Sequence, residues 1–208
     1  MNPHLPSRPL ADLLRPSRLE DIVGQDHLLG PDAPIGRMIA RNLPTSMVLW
    51  GAPGCGKTTI AHLLKNCEGT AFEQLSAMAA GVSDLKSVFV RAAQRAEGGI
   101  TSLLFVDELH RFNRTQQDVL LPVVENGQII LVGATTENPG FALSGALLSR
   151  LQVFQLRRLD EKALSALISR AETRFGRALP VDDGARAALI TMSDGDGRAL
   201  LGFVQMVF

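Results

Sequence analysis

The chain has 208 residues, 46% apolar and 20% charged, with Lys+Arg and Asp+Glu both at 21. This is room and apolar surface for one large domain, or one plus part of another, and it excludes a chain too polar to build a core. The even charge balance excludes the global basic field of many nucleic-acid binders and leaves only local patches.

Two cysteines, Cys55 and Cys67, make no disulfide framework and suit reduced thiols. The first residues lack a basic–apolar–small signal pattern, and no apolar run approaches roughly 18 residues. Cytoplasm is the expected location. Residues 1–20 carry Pro3, Pro6, Pro9 and Pro16 among scattered arginines, which predicts an extended arm. Leu19 to Gln25 then leads into a helix near Ile35 to Asn42. From Met47 the pattern alternates, with strands near 47–50, 71–75, 101–106, 129–134 and 152–156 and helices near 57–66, 84–97, 115–125 and 142–149. The runs Ser102–Val106 and Ile129–Ala134 are almost continuously apolar, as expected of strands covered on both faces. Strand–helix alternation predicts a parallel sheet wound on both sides. After about Arg157 only helices are predicted, at Glu161–Arg174, Asp183–Ser193 and Gly197–Phe208, with Asp160 and Asp182 as N-caps of the first two. The sequence stops inside the apolar run Val204–Phe208 without a cap or polar tail, which reads as a truncated product or fragment.

Within this pattern Met47–Thr59, MVLWGAPGCGKTT, carries the chemistry. Gly51, four residues, then Gly56-Lys57-Thr58 fits the phosphate-binding loop G-x-x-x-x-G-K-[ST]. The glycines let successive N–H groups point into one concavity, and a helix starting near Gly56 places its positive end on the same anion. Lys57 would reach the β/γ-phosphates as a point charge, and the Thr58 hydroxyl would ligate Mg²⁺. A strand-like run before the motif and a helix-like run after it supply the required context. The expected ligand is a nucleoside triphosphate.

Downstream, the apolar strand ending in Asp107-Glu108 places two carboxylates at one strand tip. Asp107 is the expected Mg²⁺ ligand, and Glu108 the group that orients and deprotonates an attacking water. Thr136, after the Ile129–Ala134 strand, is the expected hydroxyl between these carboxylates and the γ-phosphate. Arg150 is a candidate to reach a neighbouring subunit's γ-phosphate, an effect worth on the order of 10³–10⁵ in rate for GTPases; a guanidinium placed near a helix C-terminus is the plainer alternative. Arg198 is a candidate for the chain's own phosphates.

With these residues in hand the chain resembles the AAA+ ATPases of the clamp-loader-like branch, and within them the replication-associated recombination protein A family, related to the Werner-helicase-interacting ATPases. The resemblance rests on Asp21–Gly30, Trp50–Thr59, Phe105–Gly127, Gly133–Arg150 and Asp194–Leu200, which together span most of the sequence. It implies a P-loop α/β core, a five-stranded parallel sheet between helices, followed by an all-α lid left incomplete here. The corresponding expected boundaries are an arm over 1–20, an ATPase domain over 21–157 and a lid over 158–208. It implies ATP and Mg²⁺ as ligands. Partners would be DNA forks, gaps, ends or single strands, single-strand-binding protein and replisome components, with homo-oligomers built by further C-terminal helices.

By match, Gly51, Ala52, Pro53, Gly54, Cys55, Gly56, Lys57, Thr58 and Thr59 form Walker A, and Asp107 and Glu108 Walker B. Thr136 matches sensor 1, Arg150 the arginine finger and Arg198 the sensor 2 arginine. Ile22, Val23 and Gly24 fall where the adenine base is contacted, and Ser76 where a polar group restrains the catalytic glutamate. Several positions depart from the family pattern. Leu151 follows the finger where Cys is common, Cys55 stands where Thr is frequent, and Gly197 and Ala199 flank Arg198, which weakens the helix start. Lys86, Arg111 and Arg114 are candidate DNA contacts, with a solvated helix face as the alternative.

Two readings of function follow. One is a DNA-dependent ATPase acting at stalled or damaged replication forks. The other is a nucleotide-dependent module that recruits replication or repair partners with little turnover. A small-molecule kinase is disfavoured, because Asp107-Glu108 suits water activation and no arginine-rich lid segment is visible.

Overall fold

A computed structural model describes residues 8–208. In chain order these form α1 (Leu10–Leu13), α2 (Asp26–Leu29), α3 (Pro34–Ala40), β1 (Met47–Trp50), α4 (Lys57–Leu64), β2 (Thr70–Ser76), α5 (Val82–Glu97), β3 (Thr101–Asp107), α6 (Arg114–Glu125), β4 (Ile129–Thr135), α7 (Pro139–Ala142), α8 (Gly145–Leu148), β5 (Gln152–Gln155), α9 (Glu161–Phe175), α10 (Asp183–Ser193) and α11 (Gly197–Val207). Single 3₁₀ turns lie at Leu19–Asp21 and Leu109–Arg111. Two compact units result. One holds His27–Gly51 and Lys57–Leu156; the other holds the residues up to Asp26, Ala52–Gly56 and Arg157–Phe208.

The first unit is built on five parallel strands in the order β2-β3-β4-β1-β5. Ser102–Val106 of β3 are buried throughout, as their apolar run predicts for a strand covered on both faces. The edge strands differ: β2 is only partly buried, and Val153 of β5 is exposed. Val48, Leu104, Val106 and Leu131 pack with Leu85, Val88 and Ala92 of α5 and with Leu120 and Val124 of α6. Gln117 is the buried polar tie of this layer: its amide donates to the Phe112 carbonyl (2.9 Å) and its oxygen accepts from Ser144 N–H (2.7 Å). On β2, Glu73 is paired with Arg91 and Arg95, and the Arg91 guanidinium is the main reason its carboxyl is held below the usual range.

Helix ends follow local chemistry. Asn113 caps α6 in a reciprocal box with Gln116, and Pro34 begins α3 at the position where its missing N–H costs nothing. The single helix expected over 142–149 is instead two one-turn helices. Asn138 caps α7, Leu143 is extended, and Ser144 starts α8 by accepting from Leu147 N–H at 3.2 Å.

The second unit is helical. Leu10 is fully buried among Leu164, Ile168, Leu200 and Val204, and its N–H donates to Gln205 Oε1 at 2.7 Å. The extended arm predicted over 1–20 is therefore corrected over its described part, which forms a helical turn pinned to α11; residues 1–7 lie outside the described residues. The contact is long-range, and the prolines that suggest extension flank the turn rather than interrupt it. The rings of Phe175 and Phe208 pack in a tilted pair with centroids 4.2 Å apart, and Asp160, Asp182 and Asp196 cap α9, α10 and α11.

Glu172 binds both Arg186 and the Leu179 N–H, so its carboxyl is held below the ordinary value of 4.5, with the Arg186 hydrogen bond the leading cause. A depressed native value means that this stabilisation is fully present above about pH 4.5 and is lost as pH falls through the lower native value. Arg186→Ala should flatten the acid limb of the stability profile. Denaturant unfolding of both proteins at neutral pH and below pH 4.5 checks it.

Candidate nucleotide site

The carboxyl ends of β3, β4 and β1 lie side by side, the position where open parallel sheets bind ligands. Trp50 is level with Thr135, and Gly51 N–H donates to the Thr135 carbonyl at 3.2 Å. The chain then runs through Ala52–Gly56 into α4, whose first residue is Lys57. Lys57 is buried with its Nζ donating to the Gly51 carbonyl at 2.7 Å, so the ammonium is folded over the loop's start. Thr58 and Thr59 follow on the first turn, half-buried. Gly54 and Gly56 have φ of +64° and +108°, in the region that favours glycine.

At the end of β3, Asp107 Oδ1 accepts from Glu108 N–H at 3.1 Å. Glu108 itself is left-handed, with φ 55° and ψ 44°, a conformation costing a non-glycine residue about 1–3 kcal/mol. The kink turns the chain into the Leu109–Arg111 turn. Leu109 is fully buried against β4, where a Cβ on Gly133 would come within 2.4 Å of its Cδ2. Glycine in the middle of β4 thus sets how close the turn approaches the sheet.

That approach brings in His110, whose side chain is only 3% exposed. Its Nδ1 is 3.0 Å from Thr135 Oγ1, and its Nε2 lies 3.3 Å from Glu108 Oε2 and 3.6 Å from Glu137 Oε1. Thr135 is fully buried and also accepts from Glu137 N–H at 3.0 Å. Thr136, the expected sensor, is exposed beside it. Ser76 is level with Asp107 across β2–β3 but is not among the hydrogen-bond partners of Glu108; the contact to that carboxylate comes from His110.

Arg150 follows α8. Its Nη1 donates to the Ala146 carbonyl at 2.7 Å and to Ser149 Oγ at 3.3 Å, and its Nη2 lies 3.1 Å from Glu125 Oε2. Its Nε is buried without a partner, a loss of about 1–3 kcal/mol.

In the helical unit, Gln25 is buried and donates to the carbonyls of Cys55 (3.2 Å) and Arg157 (2.7 Å), while its oxygen accepts from Arg157 N–H. Gly197 N–H donates to the Gly54 carbonyl at 3.3 Å, and a Cβ on Gly54 would lie 1.8 Å from Asp196 Oδ1. Asp196 in turn accepts from the N–H groups of Arg198 and Ala199. Arg198 is exposed on the first turn of α11. Of the proposed base-contacting residues, Ile22 is half-buried, Val23 packs on the helical core, and Gly24, at φ +76°, leaves no room for a Cβ against Leu159. Of the candidate DNA contacts, Lys86, Arg111 and Arg114 are all exposed, and Arg114 is 3.7 Å from Asp118.

The sheet register brings the start of α4, the Asp107-Glu108 pair and Thr135–Glu137 to adjacent strand ends. His110, Thr135, Glu137, Gln25 and Asp196 had not been singled out from the sequence. All five lie within the runs that carry the family resemblance, and that is their signal in the sequence.

Residues 47–159 match the family model described as the ATPase family associated with various cellular activities (AAA). The chain is 45% identical over 204 residues to the replication-associated recombination protein A of Coxiella burnetii, covering 96% of this chain and 46% of that protein. It is 41% identical over 202 residues to the ATPase WRNIP1 of Dictyostelium discoideum, covering 95% of this chain and 23% of the other. Among solved structures it is similar to the Thermotoga maritima RuvB Holliday junction branch migration motor, with a TM-score of 0.73, 26% identity, and coverage of 92% and 64% of the two chains. The chain spans about half the length of the bacterial relatives it matches. Motif spacing, parallel-sheet order and these likenesses agree: the chain belongs to the AAA ATPase family, in the branch of replication-associated recombination protein A and WRNIP1.

Proposed function

We propose that the chain is the ATP-hydrolysing part of a DNA-dependent remodelling factor that acts at stalled or damaged replication forks. The observation that carries the reading is that the Lys57 helix start, which follows β1, and the Asp107-Glu108 tip of β3 lie at the same end of the sheet, on either side of the Thr135 end of β4. The names of the relatives support a setting in replication-associated recombination.

Lys57 binds β- and γ-phosphate oxygens, with backbone N–H groups of the glycine-rich loop that leads into α4. Glu108 takes the proton of the attacking water, and Thr136 hydrogen-bonds that water or the γ-phosphate. Thr58 and Asp107 are hard oxygen donors of the kind Mg²⁺ prefers and would hold it beside the triphosphate. When bound, Mg²⁺ supplies positive charge at the β- and γ-oxygens. Ile22, Val23 and Gly24 border the base, and Arg198 acts on the phosphates of its own subunit. Arg150 acts on those of a neighbour in a homo-oligomer. DNA contacts through Lys86, Arg111 and Arg114 would be to phosphates, giving preference for DNA structure rather than sequence and binding that weakens with salt. Single-strand-binding protein and replisome components are the proposed protein partners. No helix among the described residues is long and apolar enough to cross a membrane, and the proposed site of action is the bacterial cytoplasm, at the nucleoid.

A second reading, a nucleotide-dependent binding module with little turnover, is favoured by one observation. Arg150 is engaged within its own subunit by Glu125 and Ala146. The Glu125 pair is largely exposed and worth about 0–1 kcal/mol, so it is a weak restraint.

Glu108→Gln should keep ATP affinity, followed by Trp50 fluorescence, and lower steady-state hydrolysis by on the order of 10²–10⁴-fold. A variant hydrolysing at the full rate would remove Glu108 from the mechanism. Phosphate release measured with and without forked or gapped DNA separates the two readings: stimulation supports the remodelling ATPase, and tight binding with negligible turnover supports the binding module.

For Arg150 the test is complementation. Arg150→Ala and Lys57→Ala chains should each be inactive alone and regain part of the turnover when mixed, because each supplies what its neighbour lacks. No recovery in mixed oligomers would place Arg150 in a local structural role.

A further inference from the structure

We infer that His110 is a positioning residue for the catalytic carboxylate, with Thr135 as the partner of its second ring nitrogen. The inference rests on Glu108 being the base. Three observations carry it. The imidazole is almost wholly buried, so its two nitrogens must be satisfied by protein groups. Nε2 faces two carboxylate oxygens, of Glu108 and Glu137, and no donor. Nδ1 faces the Thr135 hydroxyl.

A neutral imidazole has one N–H. With the proton on Nε2, the ring donates toward the carboxylates and Nδ1 accepts the Thr135 O–H, while Thr135 Oγ1 accepts from Glu137 N–H. The Thr135 hydroxyl also lies 3.2 Å from the Glu137 carbonyl, a second acceptor for the same proton, so it can meet Nδ1 as donor or as acceptor. With the proton on Nδ1, a bare Nε2 lone pair would face two carboxylates, which is repulsive. The two carboxylates facing Nε2 favour the ring's proton there, and Thr135 matches that arrangement by donating to Nδ1.

Of the two carboxylates Glu108 is the nearer to Nε2, at 3.3 Å against 3.6 Å for Glu137. Glu108 stands on a left-handed backbone and projects from a turn, with its carboxylate partly exposed. Without a partner this side chain would sample several rotamers. The His110 N–H narrows them, leaving the other carboxylate oxygen to take the proton of water. Because Thr135 ends β4 and its carbonyl accepts from Gly51 N–H, the same residue joins the start of the phosphate loop to the orientation of the base.

The test uses the full chain. In His110→Phe, kcat should fall about 10²-fold, the scale of a misplaced catalytic group, with nucleotide affinity by Trp50 fluorescence unchanged within about twofold. His110→Gln, whose amide N–H reaches toward the Nε2 position, should recover most of the loss. In a Glu108→Gln background, His110→Phe should add nothing, since the two act as a unit. A loss of the same factor in that background, a loss confined to affinity, or no loss at all overturns the proposal. Full activity of Glu108→Gln alone would instead overturn the underlying base assignment, which keeps the two failures separate.

A readout independent of turnover is the ¹⁵N spectrum of the imidazole at pH 8. Protonated Nε2 with bare Nδ1 in the wild type, retained in Thr135→Ser and lost in Thr135→Val, supports the proposal. Any other protonation state in the wild type overturns it.

Discussion

The rest of the site depends on three parallel strands ending at one level. Backbone hydrogen bonding sets the register of β3, β4 and β1, and the Gly51–Thr135 bond continues it one residue beyond the ladder. That register fixes where the carboxylates of Asp107 and Glu108 and the hydroxyls of Thr135 and Thr136 stand relative to one another, because each is within a residue or two of a strand end, and the Lys57 ammonium is tied back to the end of β1 through the Gly51 carbonyl. Buried strands such as β3 admit no slippage: a one-residue shift would turn buried side chains to the other face of the sheet. The precision needed for phosphate chemistry is thus inherited from the core.

Around that frame, local preferences are overridden where chemistry is concentrated. Glu108 adopts a conformation that glycine would take more readily, and Arg150 keeps a buried N–H without a partner. Both carry a free-energy cost of about 1–3 kcal/mol held in place by surrounding packing. Gly133 shows how such a cost is sustained. By lacking a Cβ it lets Leu109 seat against β4, and the buried leucine anchors the turn that carries Glu108 and His110. A buried apolar contact of one residue thereby positions polar groups on either side of it.

The helical unit is organised by a different economy of contacts. One glutamine, Gln25, bonds two backbone carbonyls and one N–H, two of them on Arg157 where the chain enters the helices. Asp196 fills the space beside Gly54 while capping α11, so the end of one helix and the turn of the loop share a side chain. The left-handed glycine in the loop therefore answers both a backbone requirement and a steric one.

Sequence alone determined the features that are local. The spacing from Gly51 to Thr58, between a strand run and a helix run, predicts a phosphate-binding loop, and the apolar runs before Asp107 and Thr135 specify buried parallel strands. The carboxylate caps of α9 and α10 were equally legible, because a cap acts within three residues. What the sequence left open was set by contacts between residues far apart in the chain. His110 meets Thr135 across 25 positions, and Leu10 meets Gln205 across 195. Of the adjacent Thr135 and Thr136, the fold buries one and exposes the other, because successive residues leaving a strand face opposite ways. The helix expected over 142–149 broke in two because Ser144 found a backbone partner that a periodicity reading does not weigh. Periodicity and spacing report which groups are near along the chain; only tertiary packing decides which of them share a hydrogen bond.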